Sequence, residues 1–247
     1  MNPNEYQNLA EVESRHWFYA GKRDIVRRWI DRVRPLGRND VLADCGAGTG
    51  IFAADIMSTC RVIAIDDHEE SLTLIRQRLG AAYVTQGTCT RLPLADRSVD
   101  VLTALDVIEH VEHDREALAE FGRVVKPGGI VVITVPALRL LWSDWDVALH
   151  HFRRYSRRAL VDLVPAEYFD VVHCEYINAI ALPLVLLVRS FRALRRTFGV
   201  KPSIRSEDRI PPEPINALLK WSFVFSACQR VIRFPAGVGL LAVLRRK

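Results

Sequence analysis

Three glycines spaced two apart, following an apolar run that closes on an acid, constrain this chain more than any other feature. The stretch is Val41-Leu42-Ala43-Asp44-Cys45-Gly46-Ala47-Gly48-Thr49-Gly50. It reads as a buried strand ending in a tight turn whose backbone lies against a ligand. Glycine is needed there because positive φ and close ligand approach both exclude a Cβ. Strand, Gly-rich turn and helix together are how α/β folds hold nucleotides at the carboxyl edge of a sheet. A dinucleotide fingerprint spaces its glycines G-x-G-x-x-G and would place one at Ile51, whereas the spacing here is G-x-G-x-G. That disfavours a nicotinamide oxidoreductase.

The residues that follow repeat the α/β pattern. Arg61 to Asp66 reads as a second strand, ending in an acid about 20 residues after the first, where it can accept both ribose hydroxyls. Glu69 to Leu79 reads as a helix with Leu72, Ile75 and Leu79 on one face. Ala82–Gln86 and Val99–Leu105 read as the third and fourth strands, the latter followed by Asp106-Val107-Ile108-Glu109-His110. A helix over 113–125 stops at the breaker cluster Lys126-Pro127-Gly128-Gly129, and Ile130–Val135 is the expected fifth strand. Tyr168–Tyr176 and Gly239–Leu244 are expected to complete the sheet.

With these motifs on the page, the chain resembles a class I S-adenosylmethionine (SAM)-dependent methyltransferase of the methyltransferase-11 type. DCGAGTG at 44–50, AIDD at 64–67, RLPLADRSVDVL at 91–102, LDVIEHV at 105–111 and RVVKPGG at 123–129 match that family's motifs in its order. Glu13-x-x-His16-Trp17-Phe18 with Arg23, Leu141-Trp142-Ser143-x-x-Asp146, and His151-Phe152-Arg153-Arg154-Tyr155 resemble the HWWF, LWS-x-x-D and H-x-RRY signatures of a bacterial subgroup. The resemblance implies a Rossmann-like, mostly parallel sheet whose last strand is antiparallel. It also implies SAM as cofactor, S-adenosylhomocysteine as product, and an enzyme of the EC 2.1.1 type.

It further implies roles for individual residues. Asp44, Gly46, Ala47, Gly48 and Gly50 would line the cofactor, with Asp66 and Asp67 on its ribose. Thr88, where the family often carries an acid, would sit at the adenine with Cys89. Asp106 falls beside the methyl end, and His16 and Phe18 read as part of an N-terminal lid. His110, His151 and Tyr155 are candidate catalytic groups, with local capping the alternative for His110. Trp142, Asp146, His150, Arg153 and Arg154 follow the fifth strand on the ligand edge and are candidate acceptor contacts. Two arginines after a histidine could grip a phosphate or carboxylate; the alternative is a salt-bridged loop. No cluster of His and carboxylates at ligand spacing demands a metal.

Composition bounds the rest. At 247 residues and 49% apolar, one elaborated domain is the natural size. Five scattered cysteines with no C-x-x-C pair argue against a disulfide framework and for a reducing, cytoplasmic setting. The net charge of +5 comes without a nucleic-acid motif, so no nucleic-acid partner is expected.

We divide the chain into an N-terminal helical lid (1–38), a SAM-binding core (39–177), an amphipathic helical insertion (178–236) and a closing strand (237–247). Helices are expected from Asn178 to Phe198 and from Ile215 to Arg233. Leu184, Leu187, Phe191, Leu194 and Phe198 share one face of the first, and residues 189–209 hold seven Lys/Arg against two acids. The uninterrupted apolar length is too short for a transmembrane span. Three readings of the insertion stay open: a lid, a homodimer surface, or an in-plane contact of 178–235 with the inner face of a membrane. The expected function is methyl transfer to O or N of a small, lipid-linked or glycan-linked acceptor. The alternative is a non-catalytic SAM-binding or membrane-associated scaffold.

Overall fold

The computed structural model describes residues 9–197, 210–229 and 231–247. Seven strands form one sheet: β1 (Val41–Cys45), β2 (Arg61–Asp66), β3 (Val84–Gln86), β4 (Val99–Leu105), β5 (Val125–Pro136), β6 (Phe169–Ile177) and β7 (Gly239–Arg246). Their order is β3-β2-β1-β4-β5-β7-β6. All neighbours pair parallel except that β7 runs antiparallel to both β5 and β6. This is the expected Rossmann-like, mostly parallel sheet with an antiparallel last strand.

Alternation along the strands builds two apolar layers. Leu42, Val101, Ile130, Val132, Leu241 and Val243 face one side, where helices α1 (Trp17–Val33), α2 (Ile51–Ile56) and α3 (Glu69–Leu79) supply Ile25, Trp29, Phe52 and Ile75. Ala43, Leu102, Val131, Ile133 and Ala242 face the other, covered by Leu118 and Phe121 of α4 (Asp114–Val124) and Leu160 of α6 (Arg157–Leu163). Between these last two lies the short helix α5 (Asp144–Ala148). Chain order reverses between β1 and β4, so their carboxyl ends diverge and leave the crevice in which such sheets bind ligands.

Three boundaries differ from the sequence reading by four residues or more. The fifth strand starts at Val125 rather than Ile130, because Val125 pairs with Val99 and the breaker cluster is absorbed as a bulge, with Gly128 at φ +79°. Helix α7 (Leu182–Thr197) starts four residues later than expected, since Asn178 adopts a left-handed φ of +57°. Phe198 and the basic stretch after it lie outside the described residues. Helix α8 (Glu213–Cys228) ends before Arg233 because the Gln229 side chain intervenes. Its Oε1 accepts from the Val231 and Ile232 amides at 2.8 and 2.7 Å, drawing the chain away from the helix axis.

Candidate active site

The loop after β1 is built as a ligand cradle. Gly46, Gly48 and Gly50 have φ of +68°, +58° and +76°. A Cβ on Gly46 would lie 2.5 Å from Val107 Cγ2, so the loop can lie against the β4 exit only because that residue is glycine. A Cβ on Gly48 would meet nothing within 4 Å, which leaves its backbone face open. Asp66 accepts the Gly48 amide at 2.9 Å on one carboxylate oxygen and the His68 amide at 3.1 Å on the other. Each oxygen keeps a further lone pair. Asp44 is buried beneath the loop and accepts from Thr103 Oγ1 at 2.7 Å. Burial, opposed by the Thr103 bond and reinforced by the charge of Asp66, pushes its carboxyl up to about 7.

Asp67 is exposed and bonds His68 Nδ1 at 2.6 Å. Thr88, also exposed, meets Thr90 through its hydroxyl at 3.3 Å. A bond between the Cys45 and Cys89 thiols lowers the pKa of Cys89, and that same bond, followed by burial, holds the pKa of Cys45 high.

The N-terminal segment closes over this cradle. Glu13 is buried and accepts from Thr49 Oγ1 at 2.6 Å and from Arg78 Nη1 at 2.8 Å, while Arg23 donates to the Glu13 carbonyl at 2.7 Å. His16 caps α1 by accepting the Phe18 amide at 3.2 Å. Lys22, one turn further on, lies 4.5 Å above the Phe18 ring and pairs with Asp106. Asp106 itself sits at a left-handed φ of +56° directly after β4, with Thr134 Oγ1 donating to it at 3.0 Å. Burial would raise Asp106, but Lys22 outweighs it and holds the carboxyl below its usual range. Helix α8 packs behind α1. Phe223 stacks on Phe18 at 5.7 Å between ring centroids, and Asn216 Oδ1 accepts the Trp17 amide at 2.9 Å.

The opposite wall comes from the loop after β5. Asp146 is fully buried and gathers four donors: Ser143 N at 2.8 Å, Ser143 Oγ at 3.2 Å, His151 Nδ1 at 3.0 Å and Arg154 Nε at 2.6 Å. Arg189 of α7 approaches the same carboxylate at 3.9 Å. Phe152 N donates to the Glu109 carbonyl at 2.8 Å, which ties this loop to the β4 exit. There the His110 and His151 rings meet edge to face, with centroids 4.6 Å apart. Desolvation by the surrounding protein and then His151 hold the His110 ring below its ordinary pKa, so it is neutral at pH 7.

Asp44, Gly46, Gly48, Gly50, Asp66 and Asp106 thus gather along the carboxyl edge with His110 and His151. Several expected acceptor contacts are engaged internally instead. Arg153 is spent on Asp114 at 2.8 Å and the Glu112 carbonyl at 2.7 Å. Arg154 is spent on Asp146 and the Ala137 carbonyl, the latter at 3.1 Å. Tyr155 is buried and donates to Asp114 at 2.8 Å; burial and then Asp114 hold its hydroxyl far above the usual tyrosine range. That hydroxyl is therefore placed to hold the loop rather than to carry a proton. Trp142 and His150 keep exposed side chains on the loop.

Sequence reasoning missed Lys22, Thr103, Thr134 and Glu109 as site residues. Glu109 is fully buried, with neither carboxylate oxygen hydrogen-bonded. It lay inside the quoted LDVIEHV motif, whereas Lys22 gave no signal because its partner is far along the chain.

Comparison with known proteins finds similar chains among the methyltransferases. A family model described as a methyltransferase domain matches residues 43–133. A Mycobacterium tuberculosis protein described as "Probable S-adenosylmethionine-dependent methyltransferase" is 33% identical over 174 residues, 68% of this chain and 61% of its own. A Mycolicibacterium smegmatis protein of the same description is 30% identical over 163 residues, 65% of this chain and 62% of its own. The chain therefore spans about three fifths of the length of these curated relatives. The crystal structure of a SAM-dependent methyltransferase from Thermotoga maritima superposes with a TM-score of 0.59 at 22% identity, over 99% of this chain and 95% of that one. At that identity the likeness is one of fold.

Proposed function

Because the chain belongs to the class I SAM-dependent methyltransferases, we propose that it moves a methyl group to an oxygen or nitrogen of a small, lipid-linked or glycan-linked acceptor by in-line displacement. The observation that carries this is the open, left-handed Gly48 backbone, with the Asp66 carboxylate beside it and the Asp106–His110 turn at the far end of the crevice. The residues fit the family's cofactor. Asp66 has lone pairs left for a ribose diol, Asp67 stands next to it, and Thr88 and Cys89 lie at the end of β3. Asp44 is a buried carboxyl that a positively charged ligand would relieve. SAM, when bound, supplies a methyl group made electrophilic by its sulfonium.

The chain's own residues then align and shield. The Glu13–Thr49–Arg78 network and the Lys22–Asp106 pair hold the lid across the crevice, and excluding water there favours alignment. His110, neutral at pH 7, is placed to take the proton that an O–H or N–H acceptor releases. Arg154 orients His151 through Asp146 rather than gripping an acceptor anion. Trp142 and His150 are the loop side chains left to meet the acceptor.

An amphipathic acceptor is favoured by the outer surface of the two C-terminal helices. Leu184, Leu187 and Phe191 on α7, and Leu218, Trp221 and Phe225 on α8, recur at i, i+3, i+7 and are all exposed, Leu187 by 67% and Trp221 by 63%. Helix α8 already buries Phe223 and Ala227 against the core, so it is apolar on both sides, and a helix of that kind calls for a second partner. The arginine-rich sequence from 189 onward suits an anionic lipid surface as that partner. Among the described residues no helix is long and apolar enough to cross a membrane.

The transfer is tested by measuring S-adenosylhomocysteine release from SAM with membrane and soluble fractions of host lysate. Release that depends on membranes supports a lipid-linked acceptor, release with the soluble fraction alone supports a small polar one, and release with neither overturns the assignment. Co-sedimentation with phosphatidylglycerol vesicles at low salt tests the surface. The wild-type chain should pellet and a Trp221→Glu/Phe225→Glu double variant should stay in solution; a wild type that stays in solution removes the membrane reading.

Asp44 gives a pH prediction. Its folded pKa lies above its ordinary value, so folding is disfavoured as pH rises through that interval, by about 1.4 kcal/mol per unit and about 4 kcal/mol once pH exceeds 7. At pH 8 Asp44→Asn should therefore raise the melting temperature of the free chain by several degrees while weakening SAM binding at least ~10-fold. Wild-type affinity should fall between pH 8 and pH 6, and that of Asp44→Asn should stay flat. Calorimetric titration at both pH values checks this, and a flat wild-type profile would remove the charge role given to Asp44.

A further inference from the structure

We propose that Glu109, His110 and His151 form a binding site for a divalent transition-metal ion at the acceptor end of the crevice. One candidate ligand atom from each residue lies within 4.8 Å of the other two, a spacing that one cation can bridge. Two imidazoles and one carboxylate suit Mn²⁺, Fe²⁺, Co²⁺ or Zn²⁺ better than Mg²⁺ or Ca²⁺, which prefer all-oxygen surroundings.

Three further observations turn that proximity into a built site. The first is Glu109 itself. It is 0% exposed, and both of its carboxylate oxygens lack a hydrogen-bond partner among the described residues. A buried carboxylate without partners is costly, and native interiors rarely tolerate one without a function. Burial and then the charge of Asp106 hold its carboxyl well above the usual carboxylate range, and Lys22 and Arg154 oppose this only through space, since both are bonded elsewhere, to Asp106 and Asp146. A bound cation would supply the counter-charge that the ionised carboxylate lacks there.

The second observation concerns His151. Its Nδ1 is held by the buried Asp146 carboxylate at 3.0 Å, which fixes the ring and leaves Nε2 for a ligand. A carboxylate behind an imidazole is the arrangement that orients histidine towards a metal. Asp146 is in turn anchored by Ser143 and Arg154, so the ring cannot swing freely.

The third is the tie between the two loops. Phe152 N donates to the Glu109 carbonyl at 2.8 Å, so His151 is held at a set distance from Glu109 and His110 although it follows a different strand. His110 keeps an exposed edge, which gives an ion a way in. The other close group of potential ligands, Asp66, Asp67 and His68, lacks these features: Asp67 and His68 are exposed, and Asp66 bonds two backbone amides.

Three protein ligands leave open coordination positions, and an acceptor oxygen is the group suited to one of them. This role, unlike the site, rests on the methyl-transfer reading and refines it. With the ion bound, His110 gives up the proton-acceptor role described above: the imidazole lone pairs would serve as ligands, and the cation would make the acceptor hydroxyl easier to ionise. The hydroxyl proton would leave to solvent water, and nothing is oxidised or reduced.

The test uses tag-free protein of residues 1–247, stripped with a chelator and titrated with Co²⁺, Mn²⁺ or Mg²⁺ alone. Calorimetry and the visible absorption of Co²⁺ provide two readouts. One equivalent of Co²⁺ should bind with a visible band, Mn²⁺ should compete for it, and Mg²⁺ should compete poorly. Glu109→Gln, which keeps the side-chain shape, and His151→Asn should each weaken Co²⁺ binding about 100-fold, the upper end seen when support for a metal site is lost. Melting curves and S-adenosylhomocysteine titration of the same samples report folding and the cofactor half. Absence of stoichiometric Co²⁺ binding to wild type, or unchanged binding in Glu109→Gln, overturns the site. Metal binding without S-adenosylhomocysteine binding would instead overturn the methyltransferase reading and leave the site standing.

Discussion

Asp66→Ala is expected to weaken S-adenosylhomocysteine binding about 100-fold in a chain that still folds. The carboxylate already orders the cradle through the Gly48 and His68 amides, and its remaining lone pairs are those placed for a ribose diol. A hydrogen bond to a charged group contributes about 1.5–3 kcal/mol, and 1.4 kcal/mol is a factor of ten, so losing two such bonds exceeds two orders of magnitude before compensation. Disordering of Gly48 would add to the loss. Asp66→Asn keeps the shape without the charge and should fall between wild type and alanine. An affinity within twofold of wild type for Asp66→Ala would show that the ribose is not held there.

Asp146→Ala should produce the largest loss of stability. It leaves Arg154 and His151, 5% and 7% exposed by side chain, facing a hole where a buried carboxylate had been. Breaking a buried pair from one side costs about 3–5 kcal/mol. For a chain of this size that lowers the melting temperature by about 10 °C. Burial alone would raise the Asp146 pKa, but the hydrogen bonds from His151 and Arg154 and the charge of Arg154 hold it far below the carboxylate range. A depressed folded pKa gives stability that is complete above the ordinary carboxylate value and is lost as pH falls below it. The difference between wild type and variant should accordingly shrink in acid. A melting temperature within 2 °C of wild type at pH 7 would show that the hub is not structural.

The two halves of the site were not equally legible in the sequence. Asp44, the glycines and Asp66 announce themselves because a cradle of this kind is built from one contiguous turn and the tip of the next strand. Short-range chemistry fixes those positions, and strict residue requirements mark them. Helix α3 was read to the residue because its apolar spacing and the Gly80 after it agree.

The acceptor side depends on contacts between distant segments: Lys22 with Asp106, Arg153 with Asp114, Phe152 with Glu109. A sequence shows the charges but not which of them spend each other. Arg153 and Arg154 could therefore be read as an anion grip as easily as a salt-bridged loop, and folding decides for the second by closing both on carboxylates. Glu109 went unnoticed for the converse reason. A buried carboxylate looks like any other glutamate until the burial and the empty hydrogen-bonding positions are known. The boundary errors also have local causes. A left-handed Asn178 delays α7, and the side chain of Gln229 ends α8 where apolar periodicity alone would continue it.

The most direct test of the central claim is a calorimetric titration of the purified chain with S-adenosylhomocysteine and, separately, with NADH. A Gly-rich turn on an α/β sheet is compatible in principle with either, and the G-x-G-x-G spacing with Asp44 buried beneath it separates them. Binding of S-adenosylhomocysteine at one equivalent, weakened about 100-fold in Asp66→Ala, with no heat from NADH, is the predicted result. Binding of NADH without S-adenosylhomocysteine would contradict the account from the Gly-rich loop onward.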